Sequence, residues 1–347
     1  MHFFQGYVLR ANLGVEWGLS REWLPERQLK PRGGGLQGYL ITINLNHEED
    51  KPMQINLKRS FIIAALVSVL IGSGAAMADV KIGFLGGFSG PLKSWTPSIY
   101  KAAKLAVKHV NDQGGVLDGQ KIIMPNADTT CADTVAAVQA AARLVKDENV
   151  VALVGAICSG ATIAVAKQVA IPSGITLVSP ASTSPAITIL DDKDLVFRTS
   201  PSDVYQSGVM ARLLLSKGIR HIAITYVDND WGRGLAGALS EAFTAAGGKV
   251  AANQAHEEGK ADYREQIRSL ATSGVDTLVV LAYANGSGLT IIRQALENGA
   301  FDRFVGGDGM VSNTLIAAIG SDKLRGMIAT KPGRPDTNGA REFNRLA

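Results

Sequence analysis

In VGAICSGATIAVAKQV, residues 154–169, a serine closes an apolar run and opens a helical pattern. A strand that runs straight into a helix N-terminus presents unbonded backbone N–H groups and partial positive charge. Ser159 and its neighbours therefore suit an anion. Other polar and aromatic residues recur at the same kind of place, just past an apolar run. They are Ser89, Gly90 and Trp95, then Cys158, Ser159 and Gly160, then Ser179, Pro180, Ala181, Ser182 and Thr183. Further on come Asp230 and Trp231, then Tyr283, then Asp308. The first half supplies hydroxyls and N–H groups. The second supplies aromatics and carboxylates, of which Asp308 is best placed. That division suits a small zwitterion, with its carboxylate on the first half and its ammonium on Asp308.

The elements that must position these residues alternate. From Asp79, VKIGFL reads as a strand. Thr96-Pro97 opens a helix, with Thr96 as N-cap and Pro97 at the first helical position, running to about Asp112. QKIIMPNA is the second strand, ADTVAAVQAAARLVKD a helix, VVALVGAI the third strand, SGATIAVAKQVA its helix, and ITLVS the fourth strand. After the crossing segment FRTSPSD the rhythm restarts with the helix VYQSGVMARLLLSKG and the strand RHIAITYVD. The helix WGRGLAGALSEAFTAAG and the strand KVAANQA follow. Next come the helix DYREQIRSLATSG, the strand DTLVVLAY, the helix GSGLTIIRQALENG and the short strand FVGGDG. Continuous apolar strands alternating with helices predict α/β architecture with parallel sheets covered on both faces. The break near residues 197–203 predicts two doubly wound lobes, 79–200 and 201–330, whose ligands bind beyond the carboxyl ends of the strands.

The 347 residues, 46% hydrophobic and 19% charged, are enough for two domains with real cores. A net charge of +4 without a dense basic block gives no support to a nucleic-acid partner. Residues 53–78 carry the three parts of a secretory signal in order: Lys58 and Arg59, the apolar run Phe61–Ile71, and Ala76-Met77-Ala78. That run is short for a membrane span. Residues 1–52 show no period and precede the signal, so they read as a non-native leader from an overextended start, with translation beginning at Met53. Cys131 and Cys158 are the only cysteines. In an exported chain the pair reads as one disulfide, the alternative being two buried thiols. The five histidines show no metal spacing and no metal or cofactor is expected.

From Asp79 nearly to the end the chain resembles the periplasmic substrate-binding proteins of branched-chain amino-acid ABC transporters, the leucine/isoleucine/valine-binding type. The likeness rests on KIGFLGGFSGP, VNDQGGVLDGQKI, DTTCADTVAAVQAAARLV, VGAICSGAT, LVSPASTSP, VFRTSPSDVYQ, YVDNDWGRGLA, AYANGSG and VGGDGMVS, in that order. The resemblance implies a two-lobed hinged clamp of the type I periplasmic binding fold. It implies a small amino-acid ligand, delivery to permease subunits in the inner membrane, a monomer, and a periplasmic location. Position by position, Ser159 would bind the ligand carboxylate through its hydroxyl and N–H. Ala181 and Thr183 would face the head group, Asp308 would receive the ammonium, and Tyr283, Trp231 and Trp95 would be aromatic contacts. Cys131 and Cys158 match the family's disulfide. Trp231 stands where the family often has Tyr, and Asp308 is shorter than the Glu often found there, so leucine or valine is not implied outright. Residues 331–347 would begin a return to the first lobe that is truncated at Ala347, leaving apolar surface exposed.

Each of these residues has a plainer role. Ser159 could only cap a helix, Thr183 and Asp308 could only shape turns, and the two Trp could only pack. Arg198 reads as support for the hinge. A dinucleotide-dependent enzyme is the first rival, but GFLGGFSG is not G-x-G-x-x-G, and no nucleophile–base set is readable. The remaining alternatives are a periplasmic ligand sensor of the same fold and a binder of a non-amino-acid organic acid.

Overall fold

A computed structural model describes residues 78–333 and 336–346. The leader and export signal read at 1–52 and 53–78 lie outside these residues, Ala78 excepted. Two parallel sheets form, with helices on their faces.

The first sheet has the order β2-β1-β4-β5-β6, with β3 also beside β1. Its strands are β1 (Val80–Gly86), β2 (Ile122–Ile123), β3 (Asn126–Asp128), β4 (Ala152–Val154), β5 (Thr176–Ser179) and β6 (Val196–Arg198). Its helices are α1 (Thr96–Asp112), α2 (Thr134–Lys146) and α3 (Ser159–Val165). The last continues through a π turn, Ala166–Ala170, and Ile171–Ser173. The second sheet has the order β11-β10-β9-β7-β8. It comprises β7 (His221–Val227), β8 (Lys249–His256), β9 (Thr277–Leu281), β10 (Arg303–Gly306) and β11 (Ile328–Ala329). Its helices are α4 (Asp203–Ser216), α5 (Asp230–Ala245), α6 (Arg264–Ala271), α7 (Ser287–Glu297) and α8 (Asn313–Ile319). The final helix is α9 (Asn338–Leu346).

Apolar runs drive this arrangement. All five residues of β9, TLVVL, are buried, as expected of a central parallel strand covered on both faces. A continuous apolar cluster reaches from Leu85, Leu153 and Leu177 of the first sheet through Met210 and Leu214 of α4 to Ile224, Val279 and Val305 of the second. A second cluster, with Leu278, Val280, Ile291 and Phe304, fills the other face of the second sheet. Helix starts are capped locally: the carboxylate of Asp133 accepts from the N–H groups of Val135 and Ala136, and the amide oxygen of Asn229 accepts from that of Gly232.

The structure differs from the sequence reading in four local places. Thr96 is the first residue of α1 and does not cap it; Trp95 takes the cap position, and the Thr96 hydroxyl donates to the Gly87 and Leu92 carbonyls. The predicted strand QKIIMPNA is two strands, parted at Met124 and Pro125, because proline has no N–H for the ladder. VVALVGAI contributes only residues 152–154 to the ladder. Part of the crossing segment is itself a strand: β6 pairs Val196, Phe197 and Arg198 with Leu177, Val178 and Ser179. The passage between the sheets is thus residues 199–202. Past β11, Glu342 of α9 lies within electrostatic reach of His109 on α1.

Candidate functional site

The carboxyl ends of β4 and β5, with the loops that follow, build one wall. After β4 the chain passes Ile157 and Cys158 and turns into α3 at Ser159. No side chain caps that helix, so its first N–H groups are left without a side-chain acceptor. The Ser159 hydroxyl accepts from the Ser184 N–H at 3.2 Å, which fixes it against the loop after β5. Ser179 organises that loop. Its hydroxyl donates to the Ala156 carbonyl at 2.5 Å and accepts from the N–H groups of Ser182 and Ala181 at 3.0 and 3.4 Å. The Ser182 and Thr162 hydroxyls are 2.7 Å apart. Arg198 holds the far side of the loop, donating to the carbonyls of Thr183 and Ser184 at 3.0 and 2.8 Å and to the Thr188 hydroxyl at 2.5 Å. Its role is support of the loop. Cys131 and Cys158 are joined in a disulfide with their Cα atoms 5.6 Å apart, so the segment before α2 is tied to the residue before Ser159.

The opposite wall comes from the second sheet. Trp231, at the start of α5, and Tyr283, after β9, stack with ring centroids 5.2 Å apart and planes inclined by 19°. Asn229 donates to the Tyr283 hydroxyl at 3.0 Å. Burial pushes the Tyr283 phenol well above its usual range. Asp308 follows β10 and receives the Gln206 amide at 3.3 Å; the same amide donates to the Thr330 carbonyl and hydroxyl, both at 3.1 Å. Burial raises the Asp308 carboxyl above the ordinary carboxylate range. Gly309 must lack a side chain: a Cβ there would lie 2.5 Å from the Ala282 carbonyl oxygen and 2.9 Å from the Trp231 ring. A Cβ on Gly160 would stand 2.8 Å from a carboxylate oxygen of Asp230, a flexible side chain that can turn aside. The two walls approach closely enough for direct bonds. Asn285 donates to the Ser94 hydroxyl at 3.0 Å, and Ser184 donates to the Asp230 carbonyl at 3.1 Å.

Between the walls is a cavity with about 460 Å³ of space outside protein atoms, part of it open to solvent. All seven residues selected from the sequence line it: Trp95, Ser159, Ala181, Thr183, Trp231, Tyr283 and Asp308. Leu92, Ile99 and Ile157 complete its apolar side. One end thus offers a helix start and a hydroxyl, another a buried carboxylate, and the flanks are aromatic or aliphatic. This pattern can hold a small molecule carrying both charges and an apolar group. Among the described residues no group of three metal-ligating side chains occurs, and no helix is long and apolar enough to cross a membrane.

One residue escaped the sequence reading. Asp203, the first residue of α4, has no solvent exposure, and both of its carboxyl oxygens are buried without a hydrogen-bond partner. Burial and the neighbouring Asp308 push its carboxyl up to about 7. The Thr183 hydroxyl, close by without bonding geometry, and the charge of Arg198 pull the other way. The sequence signal, an Asp after Ser202 in TSPSD, is also the ordinary signature of a helix's first turn. Only burial sets it apart.

Comparison with known proteins agrees with this architecture. The family model described as periplasmic binding protein matches residues 79–345. The leucine-specific-binding protein of Salmonella typhimurium is 28% identical over 284 residues, 82% of this chain and 75% of the relative. The crystal structure of a leucine binding protein from Thermotoga maritima superposes with a TM-score of 0.69 at 25% identity, covering 77% of this chain and 75% of that one. The branched-chain amino acid transporter substrate binding protein of Streptococcus pneumoniae, solved in complex with isoleucine, gives a TM-score of 0.65 at 26% identity, covering 77% and 76%.

Proposed function

The chain belongs to the periplasmic binding protein family, a family of solute-binding proteins and not of enzymes, and from that premise we propose that it captures a small amino acid for an ABC transporter. The ligand carboxylate sits at the start of α3, on the Ser159 hydroxyl and the N–H groups of the first turn. The ammonium sits on Asp308, whose charge is coupled to the buried Asp203, beside the Thr183 hydroxyl and the Ala181 backbone. The side chain lies along Trp95 and the Trp231–Tyr283 stack, against Leu92 and Ile99. The observation that carries this reading is the single cavity that gathers seven sequence-selected residues from both sheets, anion-accepting at one end and carboxylate-bearing at the other.

The names printed for the relatives point to leucine and isoleucine as the first ligands to try. Closure of the two lobes completes the site, because neither wall alone supplies both charges. The exported protein delivers its ligand to permease subunits in the inner membrane, works as a monomer, and needs neither metal nor cofactor for binding. Titration calorimetry of the segment from Asp79 tests the clamp with leucine, valine, phenylalanine and 4-methylpentanoate, the deaminated form of leucine. Amino acids are expected to bind and 4-methylpentanoate is not. Equal binding of the deaminated acid would remove Asp308 and Asp203 from the ammonium role and make the protein an organic-acid binder.

A further inference from the structure

Asp308 lines one end of the cavity, and the fully buried Asp203, which does not line it, is coupled to Asp308 by charge, with too little positive charge nearby to balance the two. Asp203 comes from the first turn of α4, Asp308 from the segment after β10, and neither makes an ion pair. The groups around them come from four directions. Gln206 is on α4, Arg198 is on β6, Thr183 is in the loop after β5, and Tyr283, whose phenol feels the Asp308 charge, follows β9. Besides Asp308, the charged group acting on Asp203 is the one cation Arg198. The hydrogen bonds of Arg198 go to the Thr183 and Ser184 carbonyls and the Thr188 hydroxyl, not to Asp203. The Gln206 amide supplies one 3.3 Å bond to Asp308 and nothing to Asp203. Two adjacent buried carboxylates, one without a donor, cannot both remain ionised at moderate cost.

We propose that the ligand-free cavity holds one proton between Asp203 and Asp308, and that the ammonium of an incoming amino acid displaces it, so that capture releases a proton. This rests on the ligand class proposed above. In the exchange one carboxyl O–H bond breaks and the proton leaves to water. The pair passes from one negative charge to two as one positive charge arrives, and no other bond changes. The direction follows from competition: the proton and the ammonium occupy the same charges, so affinity falls as pH falls. The upward displacement of the Asp203 carboxyl to about 7, and of Asp308 in the same direction, agrees with a proton held near neutrality.

Calorimetry of leucine binding at constant pH, in buffers of different ionisation enthalpy, counts the protons. For a midpoint of about 7, the count is about 0.9 per ligand at pH 6, about 0.5 at pH 7 and about 0.1 at pH 8. Below the midpoint the Kd is expected to rise toward tenfold per pH unit. Asp203→Asn is expected to bind more weakly and to lose the buffer dependence. Intact binding with heats that do not depend on the buffer from pH 6 to 8 would overturn the proposal and leave the proposed function standing. Failure of every amino acid to bind would overturn both. Carboxyl ¹³C titration of the wild-type protein needs no variant. One aspartate midpoint near neutral is expected in the free protein, moving down on leucine saturation; midpoints all below 5 would overturn the proposal.

Discussion

Asp203→Asn should strengthen the free fold while it weakens binding, and the two effects should separate by pH. A carboxyl whose midpoint moves from 3.8 to about 7 on folding costs the native state about 4 kcal/mol once both states are ionised, at about 1.36 kcal/mol per tenfold change in proton affinity. The sign follows from the raised value. Between pH 3.8 and 7 the folded protein binds more protons than the unfolded chain, so the penalty is absent below about pH 4, grows through that window and is complete above it. Asparagine has nearly the shape of the protonated acid and never ionises. The variant should therefore match the wild type at pH 4 and exceed it at pH 8, by about 8–16 °C in Tm on a scale of about 2–4 °C per kcal/mol for a chain of this size. Thermal unfolding followed by circular dichroism at pH 4, 6 and 8 measures this, with leucine affinity in parallel. Removing the second carboxylate charge coupled to Asp308 should weaken leucine binding, by about 1 kcal/mol or roughly fivefold, for a charge acting at a distance and not through a hydrogen bond. A variant destabilised at pH 8, or stabilised equally at pH 4 and 8, would refute the reading of Asp203 as an uncompensated buried carboxyl.

Other substitutions probe the rest of the frame. Gly309→Ala forces a Cβ against the Ala282 carbonyl and the Trp231 ring; the clash should cost about 1–3 kcal/mol, seen as a lower Tm together with a weaker leucine Kd. Asn285→Ala removes the bond to Ser94 across the cavity mouth. Stopped-flow fluorescence should show faster ligand release, a net change of about 0.5–1.5 kcal/mol, with Tm nearly unchanged. Replacing both Cys131 and Cys158 with Ser opens a loop whose ends are 27 residues apart; chain entropy predicts a loss of about 3.5 kcal/mol, checked by urea unfolding with and without reductant. Burial holds His256, bonded to Thr225 and Ser287, down at about 4. Between pH 6.5 and 4 the unfolded chain therefore binds the extra proton and stability falls with acid. His256→Gln should flatten that part of the stability profile.

The overall architecture and most of the cavity were legible because they follow from periodicity and position. DTLVVLAY had to be a buried strand, and Tyr283, at its carboxyl end, had to face the place where parallel sheets bind ligands. Ser159 was legible for the same reason, as the hinge point between β4 and α3. What was not legible depends on burial. Asp203 looks like any acidic residue opening a helix, and nothing in TSPSD says that its oxygens will find no donor. The β6 strand was hidden because its outer residue, Phe197, is half exposed on the sheet edge and the segment lies among turn residues. Thr-Pro is a strong helix-start signal, yet the Thr96 hydroxyl donates to the Gly87 and Leu92 carbonyls and leaves the cap position of α1 to Trp95.

The aromatic wall gives the molecule a built-in optical signal. The sequence contains four tryptophans, at 17, 23, 95 and 231. A chain beginning at Asp79 keeps only the last two, and both line the cavity, one on each side of the cleft. Every photon of indole emission from that chain would then originate at the cavity wall. Trp231 is already stacked on a phenol ring, an arrangement whose emission responds to what enters beside it. Such a protein needs no dye or fusion partner to report what enters the cavity, which becomes visible as a change of colour and brightness in unmodified material.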